Sequence, residues 1–416
     1  EGRPARLTFA RRWRSAPSPS FGLCEQSFDR AARMSFKPLF ARSLGADPDR
    51  LHVAAHSHHL WPDASFEGQV ECWEDAARLA DRKWDRIMGE IWPEAQASVA
   101  DELGTGMPDA IVFAPNTHEL LVRLFAATPR SGDRVRILTS DGEFHSARRQ
   151  FKRWEESGEA MVDRVATEPF ESFAERFLEA ARSGGYDLVF VSQLLFGSGR
   201  RFDRVDELAA LAFPAGPWVV IDGYHAFMAV ETPFDEVAGQ SAFYVGGGYK
   251  YAMSGEGCGF LHAPPGFGER PPVTGWFAEF DDLTLPPGAV GYRKDAMRFM
   301  GATFDPSGLY RFNAVRRMLW ENGLTTARIS AHVSRLQEHL LEALNGTALG
   351  DAERLNRPGD ARFLAFRSPT AQRWSAELKE RNCITDVRGD VLRVGLALYH
   401  DESDIDAFAK MAGGLR

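Results

Sequence analysis

From about Ala110 onward the chain alternates short apolar runs with amphipathic helical stretches, and this rhythm constrains the fold more than any other feature. Residues 110–114, 134–138, 187–192, 218–222, 242–246 and 259–263 read as strands. Between them, the stretch beginning at Thr117 (Leu120, Leu121, Leu124, Phe125), then 145–157, 170–183 and 203–211 read as helices, the last with Asp203 as its N-cap. Strand–helix alternation predicts an α/β fold with a mostly parallel sheet covered by helices on both faces. Ligands of such sheets bind beyond the carboxyl ends of the strands. Asn116, Phe144, Gln193, Asp222 and Lys250 all fall at or just after predicted strand ends, so five candidate residues converge on one sheet edge.

A Pro- and Gly-rich stretch, 263–291, interrupts the alternation and reads as a long functional loop. Helices are then expected over 309–323 and 325–345. A strand at 363–366, a helix at 370–382, strands at 384–387 and 391–396 and a helix at 403–411 make a smaller α+β unit. A chain of 416 residues is too long for one small core, so two domains are expected. The division predicted is 1–33 as a flexible, Arg-rich upstream extension, 34–95 as an N-terminal segment packing on the small domain, 96–308 as the large domain and 309–416 as the small one.

Composition narrows the class. Apolar content of 44% and charged content of 26% fit a soluble globular protein, and no apolar run is long enough to cross a bilayer. A net charge of -9 speaks against general nucleic-acid binding. Cys24, Cys72, Cys258 and Cys383 are widely spaced without a CxxC pair, which argues against a disulfide framework or zinc site and points to the cytoplasm.

The chemistry lies in two strand ends about 28 residues apart. Lys250 follows Gly246-Gly247-Gly248-Tyr249, and Asp222 closes the run 218–222. A lysine after a glycine run is ordinarily a loop residue, and a strand-end Asp ordinarily caps a helix. Lysine usage shifts that balance: only seven of the 49 basic residues are Lys. An amine can shed its proton and attack a carbonyl, which a guanidinium cannot do. A strand-end lysine with a strand-end acid is what pyridoxal 5'-phosphate (PLP) chemistry needs. The lysine forms a Schiff base with the aldehyde, and the acid keeps the pyridine nitrogen protonated.

Four short motifs in order carry a family resemblance. Asp222-Gly223-Tyr224-His225, Tyr249-Lys250-Tyr251, Gly275-Trp276-Phe277 and Arg393 followed by Tyr399 together resemble class V, fold-type-I PLP enzymes, and within them kynureninase. The resemblance covers roughly Met34 to the C-terminus and implies a seven-stranded-type sheet in the large domain. It also implies roles. Lys250 and Asp222 would be catalytic, and Asn116 and Thr117 would meet the phosphate at a helix start. Phe144 would stack on the ring, Gln193 would contact the phenolic oxygen, and His225 would support Asp222 or the phosphate side. Tyr249 and Trp276 would hydrogen-bond the phosphate, and Thr303, in Gly301-Ala302-Thr303, would reach the cofactor from the partner of a homodimer with a shared active site.

Arg393 would clamp the substrate α-carboxylate. Ser57 would contact substrate from Ala55-His56-Ser57-His58-His59-Leu60-Trp61-Pro62. That segment's three histidines suggest a substrate mouth rather than a metal site, since no Cys or acid stands at ligand spacing. The sequence departs from kynureninases at Gly197, Ala278 and Ala302. The reaction expected is kynureninase-like Cβ–Cγ hydrolysis, with aminotransfer or β-elimination on another amino acid as alternatives. Cysteine desulfuration is disfavoured, because Cys258 lies between glycines and Cys383 in an apolar strand.

Overall fold

A computed structural model of the chain describes residues 35–212, 216–231, 234–279, 286 and 288–416. The predicted upstream extension therefore lies outside the described residues, as does part of the 263–291 loop. Thirteen strands are present among the described residues: β1 (Leu51–His52), β2 (Ile111–Ala114), β3 (Val135–Ser140), β4 (Ala160–Val165), β5 (Leu188–Ser192), β6 (Trp218–Asp222), β7 (Ala242–Gly247), β8 (Gly259–His262), β9 (Glu353–Arg354), β10 (Phe363–Arg367), β11 (Cys383–Ile384), β12 (Asp386–Arg388) and β13 (Val391–Gly395).

The seven-stranded sheet runs in the order β2-β8-β7-β6-β5-β3-β4. β8 is antiparallel to both of its neighbours, while the β7-β6-β5-β3-β4 pairings are parallel. The central strands β5, β6 and β7 are buried almost throughout, as near-continuous apolar runs between two helical layers must be. Helices Thr117–Ala127, His145–Glu156 and Phe170–Arg182 carry the apolar stripes that cover them. Because β5, β6 and β7 are parallel and in register, Ser192 lies beside Asp222 and Asp222 beside Val245. Their carboxyl ends thus form one rim.

The apolar interior forms two clusters. One surrounds the large sheet and includes Ile137, Val189, Val220 and Phe243. The other joins the helix Thr326–Ala343 to the antiparallel sheet β12-β13-β10-β9 through Leu336, Leu340, Leu364, Leu392 and Phe408. Leu51 and Val53 belong to the second cluster, and β1 pairs with β11.

Three expectations are corrected. The predicted strand over 384–387 is divided: Cys383–Ile384 pairs with β1, whereas Asp386–Arg388 pairs with β13. The helix expected from Asp203 begins at Val205, with Arg204 in the N-cap position and no side-chain cap. β4 was not anticipated. It pairs with β3 at the sheet edge, and its half-exposed Met161-Val162-Asp163-Arg164 lacks the apolar run of a central strand.

Candidate active site

Glycines make room for the lysine at the carboxyl end of β7. A side chain at Gly246 would strike the Phe260 ring at 2.6 Å, and one at Gly248 would meet Ser254 Oγ at 1.9 Å. With no side chains there, the backbone folds tightly around Lys250. Gly248 N donates to Cys258 O at 2.8 Å, Ser254 N to Gly248 O at 2.9 Å and Met253 N to Lys250 O at 2.9 Å. This turn directs Lys250 into a cavity of about 250 Å³ at the rim of the sheet. The cavity is lined by Asn116, Thr117, Phe144, Asp222, His225, Tyr249 and Lys250 from the predicted set, together with His118, Ser146, Ser192, Leu194, Phe196 and Tyr224.

The Lys250 side chain is buried, and its Nζ is in hydrogen-bond contact with His225 Nε2. Nζ also lies 5.3 Å from the centre of the Phe144 ring and 5.5 Å from that of Tyr224. Burial, and then the nearby Arg393 charge, lower its pKa to about 7. At neutral pH far more of the amine is therefore unprotonated than the roughly one part in a few thousand of an ordinary lysine. Burial likewise drives the His225 pKa far down, so the ring is neutral, and its Nδ1 is buried with no hydrogen-bond partner.

Asp222 accepts a hydrogen bond from Tyr224 N at 3.0 Å. Desolvation raises its pKa, opposed by that bond and by the Lys250 charge. A cation placed beside this carboxylate would restore what desolvation removes. On the other wall, Asn116 is the N-cap of helix Thr117–Ala127, its side chain accepting from Glu119 N at 3.0 Å. The first backbone N–H groups of that helix stand at the pocket, where an anion is favoured.

The structure separates other predicted residues from this cavity. Gln193 does not line it: strand alternation turns it away, so that it accepts from Tyr244 Oη at 2.8 Å, and Ser192 faces the cavity instead. Trp276 (45% exposed) and Thr303 (exposed) also lie outside it. They belong to one surface patch, because Phe277 N donates to Gly301 O at 3.1 Å and Gly275 packs directly on the Gly301 backbone.

Ser57 is outside as well, with its hydroxyl 3.4 Å from His58 Nδ1. The three histidines of that segment diverge. His58 meets the Tyr249 ring edge-on, His59 packs among Phe40, Tyr251 and Tyr399, and His56 stacks on Phe363. No group of three potential metal ligands occurs among the described residues.

Arg393, on β13, is 2% exposed. Its guanidinium donates to Phe196 O and to Asp386 Oδ2. Sequence reasoning missed Asp386, and it missed Glu143. Glu143 is wholly buried and accepts from Ser140 Oγ at 2.5 Å and from Ser192 through Oγ at 2.5 Å and N at 3.0 Å. Burial pushes its pKa up to about 7.

A buried lysine of lowered pKa sharing its cavity with a carboxylate, at the carboxyl rim of a mostly parallel seven-stranded sheet, defines a PLP-dependent enzyme of fold type I. The residues fit the cofactor: an amine for its aldehyde, an acid for its ring nitrogen, an unpartnered imidazole nitrogen and an open helix start for its phosphate. The chain belongs to the class V aminotransferase family, whose profile matches residues 82–366, and this membership indicates PLP as its cofactor and amino acids as its substrates. A kynureninase from Geobacillus thermodenitrificans (strain NG80-2) is 23% identical over 347 residues, covering 77% of this chain and 75% of the relative.

Among solved structures, the apo cysteine desulfurase of Thermococcus onnurineus NA1 superposes with a TM-score of 0.74 at 18% identity, covering 92% of this chain and all of that one. The cystine C-S lyase C-DES, in complex with cysteine persulfide, gives 0.74 at 16% identity over 89% of this chain and 99% of that one. The cysteine desulfurase CsdA of Escherichia coli gives 0.73 at 17% over 89% and 96%.

Proposed function

We propose that the chain acts on an amino acid as a kynureninase-like hydrolase, cleaving a Cβ–Cγ bond after water adds to a γ-carbonyl. The observation that carries this reading is the buried Lys250 amine sharing one cavity with Asp222. When bound, PLP supplies an electron sink that makes bonds at the substrate α-carbon labile.

In this reading each side chain has a separate task. Lys250 would hold the aldehyde through its amine, and the same Nζ would carry the α-proton. Asp222 would keep the ring nitrogen protonated, and Phe144, which lines the same cavity, would pack against the ring. The helix start at Asn116 and Thr117, with Tyr249, holds the phosphate, and His225 orients the groups around Nζ. Arg393 and Ser57 receive the substrate, Arg393 through its α-carboxylate.

Hydrolysis is placed ahead of aminotransfer and β-elimination because the Asp222–His225, Tyr249–Tyr251 and Gly275–Phe277 motifs match kynureninases and a kynureninase aligns with 77% of the chain. Desulfuration needs an exposed thiolate, whereas burial pushes the thiols of Cys258 and Cys383 up to about 12 and that of half-buried Cys72 to about 11. Incubation with kynurenine, 3-hydroxykynurenine and a panel of amino acids with keto acids tests the reading. Release of alanine and an anthranilate supports it, and formation of a new amino acid from a keto acid overturns it in favour of aminotransfer.

A homodimer is part of the proposal. It is supported by the surface patch that joins Trp276 to Thr303 outside the chain's own cavity. Sedimentation at the monomer mass would count against it. The division at 95/96 and 308/309 stays a proposal: the second apolar cluster is built mainly from residues beyond 309, whereas the helix Ser307–Glu321 packs in the first. A reducing, cytoplasmic setting is proposed on the three cysteines among the described residues, all free and well separated.

A further inference from the structure

Asp386 and Arg393 are direct partners in the register of β12 and β13. An opposite-charge pair across two strands is ordinarily a ladder contact worth a fraction of a kcal/mol up to about 1 kcal/mol. Three observations set this pair apart. The guanidinium side chain is 2% exposed, so its charge is expensive to bury and needs a full set of acceptors. Among the described residues it has two, Asp386 Oδ2 and Phe196 O, and its Nε is buried with no hydrogen-bond partner. It also stands next to the cavity, because its guanidinium donates to the backbone of Phe196, which lines that cavity with Lys250.

The Nε and Nη2 donors form the edge that a carboxylate grips with both oxygens. Asp386 occupies Nη2 and leaves Nε open. Asp386 also has somewhere to go. Its Oδ1 is 3.5 Å from the guanidinium of Arg388, which is 46% exposed and stands two residues along the same strand, hence on the same side of it. His56 Nε2, buried and without a hydrogen-bond partner, lies 3.6 Å from Asp386 Oδ2.

We infer that Asp386 is an internal stand-in for the substrate α-carboxylate: it occupies Arg393 in the empty site and passes to Arg388 when substrate takes both Nε and Nη2. Asp386 is thus a specificity-determining residue. It keeps a buried cation paired between turnovers and admits only ligands whose carboxylate outcompetes it. The inference rests on the proposed reading of Arg393 as the carboxylate clamp.

The test uses PLP-loaded wild-type protein and variants, titrated with L-alanine and with L-alaninamide, which lacks the charge, while the visible absorbance of the cofactor is followed. Asp386→Asn is expected to tighten L-alanine about fivefold or more and to leave L-alaninamide within about twofold. Arg388→Gln removes the second seat and is expected to weaken L-alanine by a similar factor. Melting temperatures establish that each variant is folded. Weaker L-alanine binding in Asp386→Asn, or equal tightening of both ligands, overturns the inference and leaves the clamp standing. Failure of Arg393→Gln to weaken L-alanine relative to its amide overturns the clamp itself, and the inference with it.

Discussion

Lys250 Nζ meets His225 Nε2 inside the cavity, joining the second residue after the glycine run at the end of β7 to the third residue after the end of β6. The parallel pairing of β6 with β7 sets this contact, because Asp222 and Val245 are opposite one another and both chains turn out of the sheet at the same rim. The amine therefore has a neutral imidazole beside it and a carboxylate on the same rim, and the Arg393 charge reaches it from the smaller sheet.

The amine should take up PLP with a pH dependence set by these neighbours. In wild-type apoprotein the rate of uptake, followed by absorbance, should rise as pH climbs through about 7, as Lys250 loses its proton. Arg393→Gln removes a positive charge that disfavours the ammonium, so the midpoint should move upward. An unchanged midpoint would show that Arg393 does not act on Lys250.

Asp222→Asn should separate stability from chemistry. Asn can still accept from Tyr224 N, and the substitution removes a desolvated charge. The melting temperature should hold or rise, while turnover of the best amino acid substrate should fall by about a hundredfold or more. Equal turnover in the two proteins would remove Asp222 from the mechanism.

Four buried histidines should make the fold sensitive to acid. Burial lowers His52 and His59 to about 3 and His262 and His400 to about 4, all below the ordinary 6.5. Below pH 6.5 the unfolded chain binds protons that the folded chain refuses. Stability is therefore complete above about 6.5 and is lost as pH falls toward 4, by up to about 2 kcal/mol per histidine at pH 5. Urea denaturation at pH 7 and pH 5 measures this, and equal midpoints would contradict it.

Glu143 works in the opposite direction. Its folded pKa of about 7 exceeds the ordinary 4.5, so the folded protein holds a proton that the unfolded chain releases, and stability declines as pH rises between those values. Glu143→Gln should match wild type below pH 4.5 and exceed it above pH 7. Glu143→Ala, which strips acceptors from Ser140 and Ser192, should cost about 2–4 kcal/mol below pH 4.5 and progressively less as pH rises through 7. Denaturation curves of the two variants across this range check both statements.

The sequence revealed the sheet wherever strands are buried on both faces. β5, β6 and β7 stand out as apolar runs, and their ends placed Asp222 and Lys250 on one rim. β4 escaped because an edge strand carries polar residues that have no fixed period. Gln193 was assigned to the cavity on its strand-end position and on the family resemblance. A strand shows each face to alternate residues, so a step of one selects Ser192 instead. Asp386 and Glu143 were invisible for another reason. Their partners Arg393 and Ser192 lie 7 and 49 residues away, and only strand register or tertiary packing brings such groups together.

The most direct test is covalent. PLP-loaded protein should be reduced with borohydride, digested and analysed by mass spectrometry. The account predicts a pyridoxyl phosphate adduct on the peptide containing Lys250, absent in Lys250→Ala. No adduct, or an adduct on another of the seven lysines with Lys250 unmodified, would contradict it.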